Sequence, residues 1–305
     1  MSKTPLDYQA QLDLLKSRGL IVNDVPFALH CLAHHNYYRL SAYRFPFTVQ
    51  GDPDTFLPNT TFEQIWKLYD FDRGLRKLLI EACKRVEISV RSRWAYEIGH
   101  QLGPQAYEDA SHFPKFKGHA QTMQKLDEEI SRSHELFVQH YRQKYKTTRP
   151  EVWVVIEVAS FGTISKLLKF TDPPRLRQDV ADSYQLDEKT LCSFFHHLSI
   201  LRNTAAHHSR IWNRKFTFMV QLPKKKPAGL YPNFYDDPAH QTGKSRKLYN
   251  SLVLLIHCLQ IIEPRGDWPQ RLVAHLQTLP SNLIPDMGFP TDWQTRPIWK
   301  SIPHS

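Results

Sequence analysis

Glycine is scarce in this chain, and no glycine-rich phosphate loop occurs. Only 11 of the 305 residues are glycine, and the segment Phe161-Gly162-Thr163 contains a single one. A P-loop needs several glycines at fixed spacing, so that backbone N–H groups can approach a phosphate. The G-x-S-x-G elbow of serine hydrolases is missing too. Nucleotide-hydrolysing and kinase activities are therefore not indicated, and Ser/His/Asp catalysis has no such motif to support it.

Cysteine is also rare, and its spacing suits neither a disulfide framework nor a zinc site. The four cysteines lie far apart in apolar surroundings and form no C-x-x-C pair. We expect them to be small buried hydrophobes in a reducing compartment. Histidine is abundant, with doublets at His34-His35, His196-His197 and His207-His208, but no H-E-x-x-H motif or carboxylate cluster accompanies them. The prediction is a protein without a metal or other cofactor.

Long apolar runs are lacking. The longest, Leu252 to Ile262, is interrupted by His257 and Gln260 and is too short to cross a bilayer. The first residues, MSKTPLDYQAQ, have no apolar core of the kind that signal peptides carry. These features predict a cytoplasmic protein with no membrane partner.

What the chain has in excess is positive charge. It contains 40 Lys and Arg against 30 Asp and Glu, a formal surplus of +10 before any of the 16 histidines is protonated. Such a surplus favours a polyanionic partner, and nucleic acid is the obvious candidate. We expect the exposed loop Lys224-Lys225-Lys226 and the helix bearing Arg73 and Arg76 to extend the grip on RNA.

Helical periodicity dominates the chain, which indicates an all-α fold. Apolar residues recur at three- and four-residue steps from Thr61 to about Leu102, predicting one long helix. Other helices are predicted at the ranges 8–17, 25–34, 121–145, 164–170, 186–207, 245–262 and 270–279. The segment Phe216 to Pro238 is the least helical, and a small β-hairpin is allowed near Phe216 to Tyr231. A loop rich in Gly, Asp, Pro and Thr from Gln50 to Thr61 suggests a boundary, with residues 1–50 as an N-terminal helical subdomain.

The stretch LRNTAAHHSRIWNR, Leu201 to Arg214, combines residues suited to RNA cleavage without a metal. The imidazole of His207 can take a proton from a 2′-hydroxyl or give one to a leaving 5′-oxygen. The guanidinium of Arg202 can hold the scissile phosphate. Five residues correspond to about 140° between side chains on a regular helix. The pair converges only if the helix ends between the two residues or if a second copy faces the first.

The motif and four other blocks resemble the Abi-like (AbiD/AbiF) family of bacterial abortive-infection proteins. Leu201 to Arg214 matches the signature RN-x-x-AHHxR-x-WNR. The further matching blocks are Gln11 to Phe47, Tyr69 to Gly99, Trp153 to Lys169, and the closing pair Leu248 to Ile262 and Met287 to Trp293. The family falls within the HEPN superfamily, whose mark is R-x4-6-H. The resemblance covers nearly the whole chain.

The resemblance implies a HEPN-like helical bundle with an N-terminal helical extension, the bundle and its C-terminal extension occupying residues 51–305. It further implies a HEPN endoribonuclease that acts as a toxin in phage defence. The products would be a 2′,3′-cyclic phosphate and a 5′-hydroxyl, and a homodimer with a composite site is expected. A structured noncoding RNA is expected to control the protein.

The same resemblance assigns roles to single residues. Arg202 would hold the phosphate, Asn203 would position it or the histidine, and His207 would act as acid and base. His208 and Arg210 would line the pocket, with Arg214 as a further RNA-binding group. Glu87 and Arg91 lie in the block where HEPN proteins carry a polar or acidic residue that orients the motif; they are one helical turn apart and can pair.

Other interpretations of the same features stay open. A structured-RNA-binding protein without catalysis would need the same basic face. A helical scaffold for another protein would explain the charge surplus poorly. Arg39 lies among the rings of Tyr37, Tyr38 and Tyr43, a composition that suits single-stranded RNA but is also typical of a buried aromatic cluster with snorkelling arginines.

Overall fold

The longest helix of the protein, α4, organises the rest of the fold. The computed structural model describes residues 4–145, 149–223, 227, 229–236 and 243–303. Helix α4 spans Phe62–Gln101, 40 residues, which corresponds to roughly 60 Å. It begins at a capping box, in which Thr61 accepts from the Gln64 N–H and the Gln64 side chain accepts from the Thr61 N–H. The long helix predicted from Thr61 to about Leu102 is thus confirmed.

The remaining elements surround α4 in chain order. Before it come α1 Tyr8–Ser17, α2 Val25–His35, α3 Tyr37–Ser41 and the hairpin strands β1 Thr48–Val49 and β2 Asp52–Phe56. After it come α5 His119–Arg132, α6 Leu136–Tyr145, α7 Val152–Val158, α8 Phe161–Phe170, α9 Pro174–Asp182, α10 Glu188–Ala206, α11 Tyr249–Ile262, α12 Trp268–Gln277 and α13 Pro297–Lys300. Single 3₁₀ turns connect several of them. The class is all-α with one small hairpin, as the periodicity predicted.

Helices α7 to α12 pack around α4 because its apolar side chains point in several directions. Its buried residues recur at three- and four-residue steps along the whole length of the helix. Helices α10, α7, α11, α9 and α12 all contact it, and α10 is held on its other side by α8 and α9. The four cysteines are all buried and unpaired, as predicted.

The N-terminal elements lie against the first turns of α4. Helices α1 and α2 pack together, and α3 contacts both α2 and α4. Rings of Phe27 and His35 meet Trp66 edge-on at 5.4 and 4.9 Å between centroids. The Ile21 backbone bridges to Thr61. These contacts join the N-terminal block to the core cluster of the bundle; a subdomain boundary near Gln50 stays a prediction.

The hairpin lies elsewhere than predicted. Strand β2 falls in the segment assigned to a loop and β1 directly before it, and Gly51, at φ +86°, allows the tight turn between Val49 and Asp52. Strand β2 is mostly polar, so its sequence does not show the alternation of apolar and polar residues from which a strand is predicted. Within the described part of 216–231 there is no strand. There the Phe216 N–H donates to the Arg246 carbonyl and the Gln221 N–H to the Ser193 hydroxyl, which takes these donors out of any strand pairing.

Three further details of the helices correct the prediction. The helix expected at 121–145 is divided in two, because Ser133 is extended and its hydroxyl accepts from the Glu135 N–H. Helix α8 begins at Phe161, three residues before the predicted start, because Ser160 caps it by accepting from the Thr163 N–H. Helix α9 is absent from the prediction, although Pro174 at its first position is typical of a helix start.

Candidate active site

The motif Leu201 to Arg214 occupies the last turn of α10 and the turn that follows it. Arg202 and Asn203 are helical, and His207 is the C-terminal cap of the helix. The His207 N–H still donates to the Asn203 carbonyl at 2.9 Å, so His207 keeps helical register. The chain leaves the helical path at His208, whose φ is +56°. Although α10 ends at Ala206, the helical N–H bond of His207 keeps the angular separation of the Arg202 and His207 side chains at about 140°.

Arg202 lies at the edge of the core, where α4 and α8 hold its guanidinium. Its Nε atom is 3.9 Å from a Glu87 carboxylate oxygen, and its guanidinium carbon lies 5.5 Å from the centroid of the Phe161 ring. The side chain is 32 % exposed. Its Nε atom is buried and has no hydrogen-bond partner among the described residues. The guanidinium is thus partly exposed, so that an anion can approach it, while Glu87 and Phe161 contact its buried side.

Glu87 in turn belongs to a fixed pair on α4. It accepts from the Arg91 guanidinium one turn further on, and both side chains are largely buried. Arg91 also donates to the Ile156 carbonyl of α7. Glu87, Arg91 and Arg202 therefore form one connected group at the junction of α4, α7 and α10. All three residues were singled out from the sequence.

Asn203 and His207 lie on the exposed side of α10, along with Ala206. Positions 202, 203, 206 and 207 lie within an arc of about 140° on the helix surface, and Arg202 is at the buried edge of this arc. Of the predicted supporting groups, His208 is exposed and its carbonyl accepts from Arg39 at 2.7 Å. Arg39 thus joins the N-terminal helices to the end of α10.

Arg210 and Arg214 face the protein rather than the open surface. Arg210 donates to the Trp212 carbonyl at 2.8 Å, and burial lowers the pKa of its guanidinium. Arg214 is half-buried. Its guanidinium donates to the Arg210 carbonyl at 3.4 Å, a longer and weaker hydrogen bond of the same kind. These arginines shape the turn after α10. Lys224, Lys225 and Lys226, predicted as an RNA-binding loop, lie outside the described residues.

A buried carboxylate that sequence reasoning missed anchors this turn. Asp72 of α4 is fully buried and accepts from the backbone N–H groups of Ile211 and Trp212 at 3.1 and 2.7 Å. The Tyr43 hydroxyl donates to its other oxygen at 2.6 Å, and Arg76 pairs with the same oxygen. Burial and the Asp72 carboxylate raise the pKa of Tyr43, which keeps that hydroxyl a donor.

This network also corrects the assignment of Arg76 as a surface cation. Arg76 is 5 % exposed and is paired with Asp72, because both residues fall on the apolar side of α4 that faces the core. Arg73 remains half-exposed, beside Asp70. A charged pair at i and i+4 within an apolar stripe was the available signal for the network.

Titratable side chains elsewhere form no evident metal centre. No three His, Cys, Asp or Glu side chains lie close enough to share a metal ion, in the part of the chain that the structure describes. His196 and His197 diverge. His196 meets the Phe218 ring edge-on, whereas His197 is buried between the Ser251 hydroxyl at 2.8 Å and the Phe218 carbonyl.

Comparison with known families places the motif in context. Residues 30–213 match the sequence model of the family described as Abi-like protein. This range holds the second half of α2, all of α3 and α4, and the motif through Asn213.

The chain belongs to the Abi-like protein family.

Membership in the Abi-like family suggests that the protein takes part in abortive infection, a form of phage defence. The match includes Glu87, Asp72 and the motif itself, so the connected groups around α10 lie within the family's own span. Comparisons with curated proteins and with solved structures found no match. Within the described ranges no helix has the length and apolar character needed to cross a membrane.

Proposed function

We propose that this Abi-like protein is a HEPN endoribonuclease that cleaves RNA without a metal and arrests growth during phage infection. One observation carries the proposal. The Arg202 guanidinium is fixed by Glu87 and Phe161 at the buried edge of a surface on which Asn203 and His207 are exposed. Cleavage through a neighbouring 2′-hydroxyl requires a cation for the phosphate and an imidazole for proton transfer, and the end of α10 carries both groups.

The chemistry uses the RNA's own nucleophile. His207 takes the proton of a 2′-hydroxyl, and the oxygen attacks the adjacent phosphorus. The bond from phosphorus to the 5′-oxygen breaks, and that oxygen receives a proton from an imidazolium. The products are a 2′,3′-cyclic phosphate and a 5′-hydroxyl, with no water consumed. Arg202 stabilises the charge on the phosphoryl oxygens, and Asn203 positions the phosphate or the imidazole.

A homodimer completes the site in this proposal. Because His207 keeps helical register, its side chain points about 140° away from that of Arg202 on the same helix. A two-fold axis near the end of α10 would place the Arg202 of one copy beside the His207 of the other. Each of the two sites then holds one His207, which takes the proton of the 2′-hydroxyl and returns it to the leaving 5′-oxygen.

The proposal extends to the biological setting. The enzyme acts in the cytoplasm, and a structured noncoding RNA holds it inactive until infection. The +10 charge of the chain supports an RNA partner as well as an RNA substrate. The N-terminal helices, residues 1–50, are proposed as a subdomain on the HEPN-like body of residues 51–305.

Expression of the protein without its inhibitor tests the proposal. Growth arrest is expected, with Arg202→Ala or His207→Ala each relieving it. Arg132→Ala and His134→Ala are matched controls, since both side chains are exposed, Arg132 at the end of α5 and His134 between α5 and α6. The purified parent should produce cyclic-phosphate ends and keep doing so in excess EDTA. Unchanged toxicity in both correctly folded site variants, or cleavage that EDTA abolishes and magnesium restores, would overturn the mechanism.

A second candidate is a structured-RNA-binding protein that does not cleave. The cationic cleft between the N-terminal helices and α4 favours it, because that cleft needs no catalysis to bind RNA. The two candidates separate in one measurement. A binder retains RNA with its ends intact, and Arg202→Ala leaves its cellular effect unchanged.

A further inference from the structure

A large cleft separates the N-terminal helices from the face of α4 and ends at the turn after α10. Its volume is about 1290 Å³. Its walls come from α1, the end of α2, α3 and the first half of α4, and Ala205 and His208 lie at one end. His208 is adjacent in sequence to His207, which does not itself line the cleft, so the cleft ends next to the proposed catalytic residue.

The charge of the cleft is strongly one-sided. The described residues that line it include one carboxylate, Asp54, and six Lys or Arg side chains, of which Arg76 is buried and paired with Asp72 and Arg73 lies beside Asp70. Asp54 is shared by Arg18 and Arg44 at 3.0 and 3.3 Å. Lys77 is exposed and pairs with no carboxylate among the residues described. Among the described residues, the only hydrogen-bond partner of Arg39 is the His208 carbonyl. Such a wall attracts phosphates.

The tyrosines of the cleft have different surroundings. Tyr43, predicted from sequence as one of a mixed aromatic and basic cluster, is buried behind the wall and bonded to Asp72. Tyr37 is half-buried and fixed by Arg18, which donates to its hydroxyl at 2.9 Å. Tyr38 is 71 % exposed, and its ring meets that of Tyr37 edge-on. Tyr38 therefore offers a supported ring face to the cleft.

We propose that this cleft binds a single-stranded segment of RNA and leads it to the end of α10. Cations along the walls would hold the phosphates, and Tyr38 would stack on a base. Bases in a duplex are already stacked and paired, so an exposed ring inside a concave cleft selects an unpaired strand. The inference rests on the proposed function, because it names the strand in the cleft as the substrate that reaches His207.

Binding to a fluorescent oligouridylate tests the cleft, with His207→Ala as the parent protein so that no cleavage interferes. Tyr38→Ala is expected to weaken binding about 5- to 150-fold, the range for loss of one base–aromatic stack. Tyr38→Phe should bind as the parent does, because the ring remains. Tyr96→Ala is the matched control, since Tyr96 is 53 % exposed on α4 and lies outside the cleft.

Charge and strandedness provide the second comparison. Lys77→Ala should lower the slope of log affinity against log salt by about 0.7, the value for one phosphate contact on a single strand. Lys300→Ala, an exposed lysine on α13, should leave the slope unchanged. A duplex of the same length should bind without sensitivity to Tyr38. Ultraviolet cross-linking should attach uridine to the peptide containing Tyr38.

Failure of the cleft and failure of the nuclease can be told apart. If Tyr38→Ala and Lys77→Ala bind as the parent does, or if duplex binding falls equally, the cleft proposal is wrong whatever the enzyme does. If both variants lose binding while His207→Ala in the otherwise native chain still cleaves RNA, the cleft stands and the catalytic assignment falls.

Discussion

At the residue scale, two carboxylates on one helix fix the two halves of the motif. Glu87 lies behind Arg202, and Asp72 holds the backbone of Ile211 and Trp212. The first was predictable, because a charged pair at i and i+4 in a matching block pointed to it. The second was not, because its partners are backbone N–H groups more than a hundred residues away. Periodicity assigns a residue to a face and not to a distant partner.

Loss of the buried Asp72 carboxylate is expected to destabilise the fold strongly. Asp72→Ala leaves Arg76 buried without its partner and two N–H groups without an acceptor, and removal of one member of such a pair costs about 3–5 kcal/mol. Tyr43→Phe removes the hydroxyl that donates to Asp72 and accepts from Arg76, two hydrogen bonds, and should cost about 1–3 kcal/mol. Urea denaturation measures both. Asp70→Ala, which removes a half-exposed carboxylate beside Arg73, is the control and should stay within about 1 kcal/mol of the parent. Equal losses for Asp70→Ala and Asp72→Ala would contradict this role of Asp72.

Glu87 is expected to act as a positioning residue for Arg202. Glu87→Gln removes the charge that holds the guanidinium, and a loss of about 1 kcal/mol of that positioning lowers the cleavage rate at saturating RNA about fivefold. Glu97→Gln is the matched control. Glu97 has the same 13 % exposure, pairs with Arg93 on the same helix, and has no contact with the motif. RNA affinity should be little changed in either variant. A rate that falls equally in both would assign the effect to α4 as a whole.

At the element scale, α4 and α10 form an antiparallel frame. Asp72 and Glu87 are 15 residues apart on α4, roughly 22 Å, and they meet the motif in the reverse order, at Trp212 and at Arg202. Both helices were predicted almost to the residue, because their apolar stripes and caps are local signals. The polar hairpin, the break at Ser133 and helix α9 were missed or misplaced. In those segments tertiary contacts decide the structure, and the local pattern is weak.

The contact between α10 and α11 predicts a pH dependence of stability. Burial lowers the pKa of His197 to about 4, whereas an unfolded histidine titrates near 6.5. The folded state therefore disfavours the proton. The contribution of neutral His197 to the free energy of unfolding is fully present above pH about 6.5. It decreases as the pH drops toward about 4, because only the unfolded chain binds the proton in that window.

His197→Asn should reduce the slope of unfolding free energy against pH by up to about 1.4 kcal/mol per pH unit between pH 6.5 and 4. His35, His196 and His257, whose pKa values burial also lowers, preserve part of the slope in the variant. Urea titrations at a series of pH values measure it. His100→Asn, at an exposed position on α4, should keep the parental slope. A slope that His197→Asn leaves intact would show that the proton enters elsewhere.

At the scale of the whole molecule, charge and helix geometry point to assemblies larger than one chain. The surplus of +10 requires a polyanion or a salt atmosphere around the protein. Part of this positive charge lines the cleft. The lysine loop at 224–226 lies outside the described residues. The sequence predicted that RNA would be the partner. The shape of the cleft follows from how α1 to α3 dock on α4, and composition carries no information about that docking.

Subunit mixing tests the composite site. If Arg202 of one copy works with His207 of the other, a dimer of one Arg202→Ala chain and one His207→Ala chain contains one site with both groups intact. Two inactive proteins mixed at random should then recover roughly a quarter of the parental cleavage, since half of the dimers carry one intact site of two. Differently tagged chains, purified together, raise the recovery to about half. Light scattering with and without RNA verifies that dimers form. Dimers that exchange subunits without any recovery would mean that the catalytic pair belongs to one chain, and the rotation of about 140° would then have to be closed by the side chains themselves.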